Sequence, residues 1–459
     1  MCDGSCRKSN RIRYEIDSER ILTLKTSDFS EVFLFLRSMK IEALYQLFTL
    51  SSGVCTDTRK VKPGSLFIAL KGENFNGNKF ALKAIDQGCS AAIVDEPIAE
   101  SHPQIHTVQN GLSCLQELAH FHRKKLNAHV IGITGSNGKT TSKELAFEVL
   151  SKKFKTFATP GNFNNHIGLP LTLLETPLDT EVLLLEMGDS KRGDILELCE
   201  ISDPDFGYIT NIGKDHIGGF GTMEANIAAK KELFDYLKDT KKPAFLQEND
   251  ELLHSISEGL ETISIPLGSP LKIETGSTFL KYTTDNNSYT THLVGSYNIL
   301  NIQFAVSLGR YLQVAENDIH MAVCNYQPSN NRSQLIETPH KNQLILDAYN
   351  ANPSSVELAL QSMLGLDHPN KVVILGDMLE LGSISTHEHG QIVKMVCESS
   401  IEKAFFVGSH YKEHENTDAL FFANKKELVL YLEENPISSS LILLKGSRGI
   451  ALETLKELI

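Results

Sequence analysis

The chain has 459 residues, enough for about three domains at the usual 100–200 residues each. Its 41% hydrophobic and 22% charged residues fit a globular protein with sizeable cores. The formal charge, 44 − 57 = −13, argues against a nonspecific nucleic-acid binder but leaves room for a locally positive phosphate site.

No apolar run approaches the roughly 18–20 residues that a membrane span needs. The cluster Val32–Leu36 is too short for the core of a signal peptide. The expected location is the cytoplasm, with no membrane span. The eight cysteines are scattered with no CxxC pair, so neither a zinc site nor a disulfide framework is indicated and reduced thiols are expected.

Residues 1–38 mix seven basic and six acidic residues without an apolar period. Two readings stand: an extension without packed structure, or a true start at Met39. Residues 39–122 read as a small α/β unit. Leu66–Leu70 is strand-like, Lys71–Asn74 turn-like, Lys79–Gln87 helical and Ala91–Val94 a second strand.

Residues 123–326 alternate buried-strand candidates (His129–Ile133, Val182–Leu185, Tyr208–Ile212) with helical stretches (Thr140–Ser151, Met223–Leu237). That alternation predicts a parallel sheet with crossover helices. A β-rich insert is expected between Thr262 and Val294. Residues 327–459 alternate again, with apolar runs at Leu344–Asp347, Val372–Leu375, Ala404–Val407 and Leu441–Leu444. This reads as a Rossmann-like open sheet, with ligands at the carboxyl ends of the strands. No GxGxxG is present, so a dinucleotide is not indicated. The fold class is therefore α/β in three domains: a small N-terminal one, a central sheet like that of phosphate-loop ATPases, and a Rossmann-like C-terminal one.

The strongest chemical signal is Gly132–Thr141, GITGSNGKTT. A buried strand enters a glycine turn and a helix leaves it. Such a turn directs backbone N–H groups at an anion, and the helix N-terminus adds positive potential. Gly135, Ser136, Asn137, Gly138 and Thr141 form the cradle, Lys139 supplies charge to the β/γ-phosphates, and the Thr140 hydroxyl binds Mg²⁺. The first glycine of the general pattern is Ile133 here, so the loop is a shorter variant, GxxGKT. Glu186 ends an apolar strand on the same sheet edge and is a Mg²⁺ ligand candidate. His216 reaches that edge from the next strand, although a lone histidine is more often structural. Periodicity makes Lys230 a solvated helix lysine. Asn162 and Asn165 lie in an amide-rich loop suited to polar substrates.

These segments, together with ATPGNFNNHIGLPLTLL (158–174), LLEMG (184–188), ITNIGKDH (209–216), GSYNILN (295–301), LDAYNANPSS (346–355), ILGDMLELG (374–382) and LLKGSR (443–448), occur in the order of the Mur ligases, which the chain resembles from Met39 to Ile459. Thr56–Arg59 and Leu70–Glu73 resemble the nucleotide-sugar-binding domain of that family. The branch that adds a diamino acid carries an Asp-Asn-Pro-Arg motif that is missing here, whereas Asp347–Pro353 resembles the dipeptide-adding branch.

The resemblance implies an ATP-dependent amide ligase joining D-alanyl-D-alanine to UDP-N-acetylmuramoyl-tripeptide through an acyl phosphate. The alternatives are another Mur-type amino-acid ligase or a catalytically silent nucleotide-binding partner. It further implies that Lys139 binds the γ-phosphate, that Thr140 and Glu186 hold one Mg²⁺, and that His216 and a carbamylated Lys230 hold a second. Asn298 would meet adenine, and Arg332 and Asp347 would bind nucleotide from the closing third domain. Asp57, Arg59 and Lys71 would take the uridine-nucleotide end. Asn350, Lys445 and Arg448 would face the incoming dipeptide. A monomer is expected. The run Asp189–Ile195 after Gly188, Thr58 and Asn78 depart from the family pattern.

Overall fold

The structure is a computed structural model and describes residues 39–98, 101–274, 276–285 and 287–459. The expectation for residues 1–38, and the cysteines Cys2 and Cys6, lie outside the described residues. The remaining six cysteines are free thiols, and burial pushes Cys114 up to about 12. The described residues form two compact units that divide between Gly111 and Leu112.

The first unit carries β1 (Val54–Cys55), β2 (Leu66–Ile68), β3 (Lys71–Gly72), β4 (Phe75–Asn76), β5 (Ala91–Val94) and β6 (Ile105–Thr107). Four of them make a parallel sheet in the order β1-β2-β5-β6, and β3 and β4 pair separately as an antiparallel hairpin. The helix expected over Lys79–Gln87 begins later, at Ala81. A 3-10 turn, Gly77–Phe80, precedes it because the Asn76 side chain accepts from the Asn78 N–H at 3.0 Å.

The second unit opens with helix Gly111–Arg123, which the division places mostly here. Its C-terminal end is tied to this unit: His122 Nε2 donates to Thr176 O and Arg123 Nε to Ser202 O. The strands that follow are β7 (His129–Thr134), β8 (Thr156–Ala158), β9 (Val182–Glu186), β10 (Phe206–Ile209), β11 (Ala244–Gln247) and β12 (Thr262–Ile265). They form one parallel sheet, β12-β11-β10-β7-β9-β8. The order reverses at β7, so a crevice opens at its carboxyl end. Strand β10 stops at Ile209, short of the expected Ile212, because Thr210 and Asn211 leave the sheet to bond the loop after β7.

The expected β-rich insert splits. Strand β12 joins the parallel sheet, while β13 (Lys272–Glu274), β14 (Phe279–Thr283) and β15 (Ser288–Val294) form an antiparallel sheet. The last sheet holds β16 (Gln334–Glu337), β17 (Gln343–Asp347), β18 (Lys371–Gly376), β19 (Lys403–Val407), β20 (Leu420–Phe422) and β21 (Leu441–Lys445). Its order is β16-β17-β21-β18-β19-β20, parallel except for the edge strand β16. Apolar side chains pack on both faces of this sheet, as an open α/β sheet requires. Among the described residues no helix is long and apolar enough to cross a membrane.

Candidate active site

The loop after β7 runs Gly135–Gly138 into helix Lys139–Leu150. Both glycines are demanded by geometry. Gly135 has φ +130°, and a Cβ there would lie 2.1 Å from Thr210 Oγ1. Gly138 has φ +83°, and its Cβ would lie 2.5 Å from Asn301 Oδ1. The first-turn N–H groups of the helix have no helical carbonyl to bond, which makes this end an anion site. Lys139 Nζ donates to the Gly135 carbonyl and lies 3.4 Å from that of Ser136. Burial lowers its pKa from the ordinary lysine value, and the carboxylates of Asp215 and Asp189 oppose that shift.

Register brings the first metal candidates together. Glu186 pairs with Ile133 across β9 and β7, and Thr140 Oγ1 donates to Glu186 Oε2 at 2.9 Å. Glu186 is 2% exposed and also receives Asn164 Nδ2 at 2.9 Å, with Lys143 Nζ at 3.6 Å. Asn164 is thus the amide that bonds Glu186, and Asn165 lines the same cavity. Asn162 is exposed and outside the cavity lining, and Asn165 Oδ1 accepts from the Ile167 and Gly168 N–H groups.

Lys230 corrects the sequence reading. It is fully buried, with Nζ 3.1 Å from Asp189 Oδ2 and 3.3 Å from Asp215 Oδ2, and it donates to Asn226 Oδ1. Asp215 is 3% exposed, and among the described residues its Oδ2 accepts no hydrogen bond beyond the ion pair with Lys230. Burial pushes the Asp215 carboxyl up, but Lys230, Lys139 and hydrogen bonds from Ser136 and Asn226 outweigh it and hold it below its usual value. Lys139, Lys143 and Lys230 therefore stand among Glu186, Asp189 and Asp215, three cations among three anions. A carbamate at Nζ would add another anion beside two carboxylates, so it fits only with Mg²⁺ between them.

One cavity of about 750 Å³ joins this cluster to the last sheet. From the loop side it is lined by Ser136–Thr141, Glu186, Asp189, Asp215, His216 and Asn298. From the other side come Arg332, Asp347, Tyr349, Asn350 and Lys445. Arg332 stacks on the Tyr349 ring, 3.8 Å from its centroid, and its Nε is buried without a hydrogen-bond partner among the described residues. Lys445 Nζ lies 2.6 Å from Asp347 Oδ2, so this pair works as a unit. Arg448 is exposed, outside the cavity lining, with its guanidinium 5.5 Å from the Tyr349 centroid. Asn298 anchors to Val294 O and accepts from Asn301. His216 Nδ1 lies 2.6 Å from Glu380 Oε2.

Asp57, Arg59 and Lys71 lie in the first unit. Asp57 grips the Arg59 guanidinium through both oxygens, and those hydrogen bonds lower its carboxyl to about 2. Lys71 pairs with Glu96 at 2.5 Å.

Among the described residues no three His, Cys, Asp or Glu side chains converge as a ready cage for a metal. Mg²⁺ does not need one, since it takes one or two carboxylates and completes its shell with phosphate oxygens and water. The Thr140–Glu186 pair and the undonated Asp215 Oδ2 fit that habit. Sequence reasoning missed Lys143, Asn164, Asp189, Asp215 and Tyr349 as site residues. Four of these lie within quoted motif segments or in the departing run that starts at Asp189, so a signal existed.

Three family models match: Mur ligase family, catalytic domain, over residues 51–123; Mur ligase middle domain, over 133–309; and Mur ligase, glutamate ligase domain, over 331–448. The UDP-N-acetylmuramoyl-tripeptide--D-alanyl-D-alanine ligase of Bacillus subtilis is 34% identical over 429 residues, 90% of this chain and 94% of that protein. The Escherichia coli protein of the same name is 30% identical over 418 residues, 87% and 92% of the two chains. Among solved structures, MurF from Acinetobacter baumannii superposes with a TM-score of 0.80 at 28% identity, covering 92% of this chain and 98% of that one. MurF from Thermotoga maritima in complex with ADP gives 0.79 at 25% identity, covering 92% and 99%. With a phosphate loop at the crevice of a parallel sheet and this likeness over nearly its whole described length, the chain belongs to the Mur ligase family and is MurF-like within it.

Proposed function

We propose that this chain is an ATP-dependent ligase that joins D-alanyl-D-alanine to the terminal carboxyl of UDP-N-acetylmuramoyl-tripeptide, a step of peptidoglycan precursor synthesis. The observation that carries the reading is the single cavity in which Lys139, Thr140 and Glu186 face Arg332, Asp347 and Tyr349. The names of the relatives agree with it.

A carboxylate does not condense with an amine in neutral water without activation. ATP is the substrate that supplies it. The tripeptide carboxylate attacks the γ-phosphorus, ADP leaves, and an acyl phosphate forms. The free amine of D-alanyl-D-alanine then attacks the acyl carbon and phosphate departs. No protein nucleophile is needed, so the chain's residues bind, orient and neutralise. Lys139 and the first turn of helix Lys139–Leu150 hold the phosphates, Asn298 and the Arg332–Tyr349 stack hold the nucleoside end, and Asp347 is oriented by Lys445. Thr140 and Glu186 would hold one Mg²⁺, with His216, Asp215 and Lys230 toward a second. When bound, the metal screens negative charge on the transferring phosphoryl group. Lys230 pairs with Asp189 and Asp215, and a carbamate there would be balanced in charge only with that second ion bound. Asp57, Arg59 and Lys71 take the uridine-nucleotide end, and Asn350 and Arg448 the dipeptide side. One chain supplies every group named, so a monomer suffices, and the cytoplasm is the compartment that provides ATP and the nucleotide-linked precursor.

The test is an acceptor screen. ADP release and product mass are followed with D-alanyl-D-alanine against single amino acids. Amide product with the dipeptide alone is the expected result; turnover with a diamino acid instead would move the chain to a different branch of the family. In Arg332→Ala, losing a charged contact worth about 1.5–3 kcal/mol raises the KM for ATP by about 10–100-fold. Binding of the uridine substrate, measured by calorimetry, stays unchanged.

A further inference from the structure

The residues beside the phosphate loop are gripped from two sides. On the inner side, Ser136 Oγ accepts from the Gly213 N–H at 2.8 Å and donates to Asp215, and Asn137 N donates to Asn211 Oδ1 at 3.1 Å. Segment 211–216 is therefore fixed to the loop that holds phosphate. On the outer side the same segment meets the C-terminal part of the second unit. Lys214 Nζ lies 2.7 Å from Glu388 Oε1, Gly218 N donates to Glu380 O at 2.8 Å, and His216 Nδ1 meets Glu380 Oε2 at 2.6 Å. Asn352 Nδ2, at the start of helix Pro353–Leu364, donates to Asn137 Oδ1 at 2.8 Å.

A carboxylate accepts only, so the Nδ1 facing Glu380 must carry the hydrogen. In the neutral ring Nε2 is then the lone-pair nitrogen, and His216 lines the same cavity as Asp215 and Lys139. Glu380 sits in the segment after β18, and none of the roles assigned above uses it. We propose that Glu380 is a positioning residue: the docked C-terminal sheet supplies the carboxylate that fixes the tautomer and direction of His216, so the metal side of the nucleotide site is complete only when that sheet is in place. The proposal rests on the reading of His216 as a metal ligand.

The experiment measures metal binding without turnover. Mn²⁺ is titrated into the full chain with ADP present and followed by electron paramagnetic resonance, for wild type, Glu380→Ala, Glu380→Gln, Lys214→Ala and His216→Ala. Outer carboxylates of metal-binding histidines are worth about 10–100-fold in affinity, and Glu380→Ala is expected to weaken Mn²⁺ by at least tenfold. Glu380→Gln keeps an oxygen that accepts from Nδ1 and stays within about threefold of wild type. Lys214→Ala, which loosens the same contact surface without touching His216, leaves Mn²⁺ affinity nearly unchanged. ADP affinity without metal stays the same throughout.

Wild-type Mn²⁺ affinity in Glu380→Ala, with His216→Ala weakened, overturns the positioning role and leaves the reading of His216 standing. Wild-type affinity in His216→Ala overturns that reading itself. Equal losses in Glu380→Ala and Lys214→Ala make the contact merely structural and also overturn the proposal. Should Glu380→Ala not fold, the near-isosteric Glu380→Gln set against Glu380→Leu decides by the same readout.

Discussion

Replacing Lys139 with alanine abolishes ADP release and amide formation together. Both follow from one step, because the acyl phosphate and ADP appear in the same displacement and nothing can be ligated without it. The lysine is the cation nearest the loop carbonyls, with Nζ held over Gly135 and Ser136 by the helix it starts. A preorganised charge at a developing anion costs about 10²–10³ in rate when a single donor is removed. A phosphoryl group that draws in a second anion, the substrate carboxylate, depends on it at least as much. The loss is expected in kcat, with the uridine substrate still bound, because the first unit is untouched. Rapid-quench measurement of ADP with and without dipeptide separates this outcome from its rival. A variant that still releases ADP but forms no amide would place Lys139 at the acceptor rather than the phosphate. The fold should survive, since Lys139 is only part-buried and its partners are carbonyls of a loop that Asn211 and Thr210 also hold.

The phosphate loop was legible because its constraints are local. Two left-handed glycines and a helix start leave a mark in consecutive residues, and the strand before it has an apolar, buried middle, Val130–Ile133. Strands β9, β18 and β21 were legible for the same reason, being buried on both faces and continuous in sequence. What escaped was shorter or mixed, including the four-residue β11, which is interior and buried. Strands β8, β16 and β20 lie at sheet edges and are part exposed; β8 and β16 mix polar residues with apolar ones, and β20 is only three residues long. The run after Gly188 departs from the family pattern and has no role assigned from the sequence. In space its first residue, Asp189, is the counter-ion of a buried lysine.

Lys230 shows how a charge hides a pattern. In helix Met223–Thr240, Asn226, Lys230, Leu233 and Leu237 follow the i, i+4, i+7, i+11 spacing of a buried stripe, and all four are buried. Reading the lysine as solvent-facing broke the stripe at its centre. Its burial carries the second large expectation. Lys230→Met removes the cation that, among the described residues, alone pairs with both Asp189 and Asp215, and leaves two carboxylates inside the protein. Breaking a buried pair on one side costs about 3–5 kcal/mol, and a chemical denaturation midpoint well below wild type is expected. Adding Asp189→Asn removes one of the stranded charges and returns most of that loss, because the amide is nearly the shape of the acid it replaces. Activity does not return with it, since neither variant restores a group able to meet a metal. In Lys230→Ala, formate is expected to recover part of the turnover by occupying the space of the missing side chain with a carboxylate. Stability regained without activity in the double variant, and activity regained without stability under formate, together divide the two tasks of one residue: charge balance in the metal-free chain and metal binding during the reaction. A double variant no more stable than Lys230→Met would show that Asp189 is not the partner whose charge matters. Formate without effect would leave Lys230 an ammonium throughout the cycle.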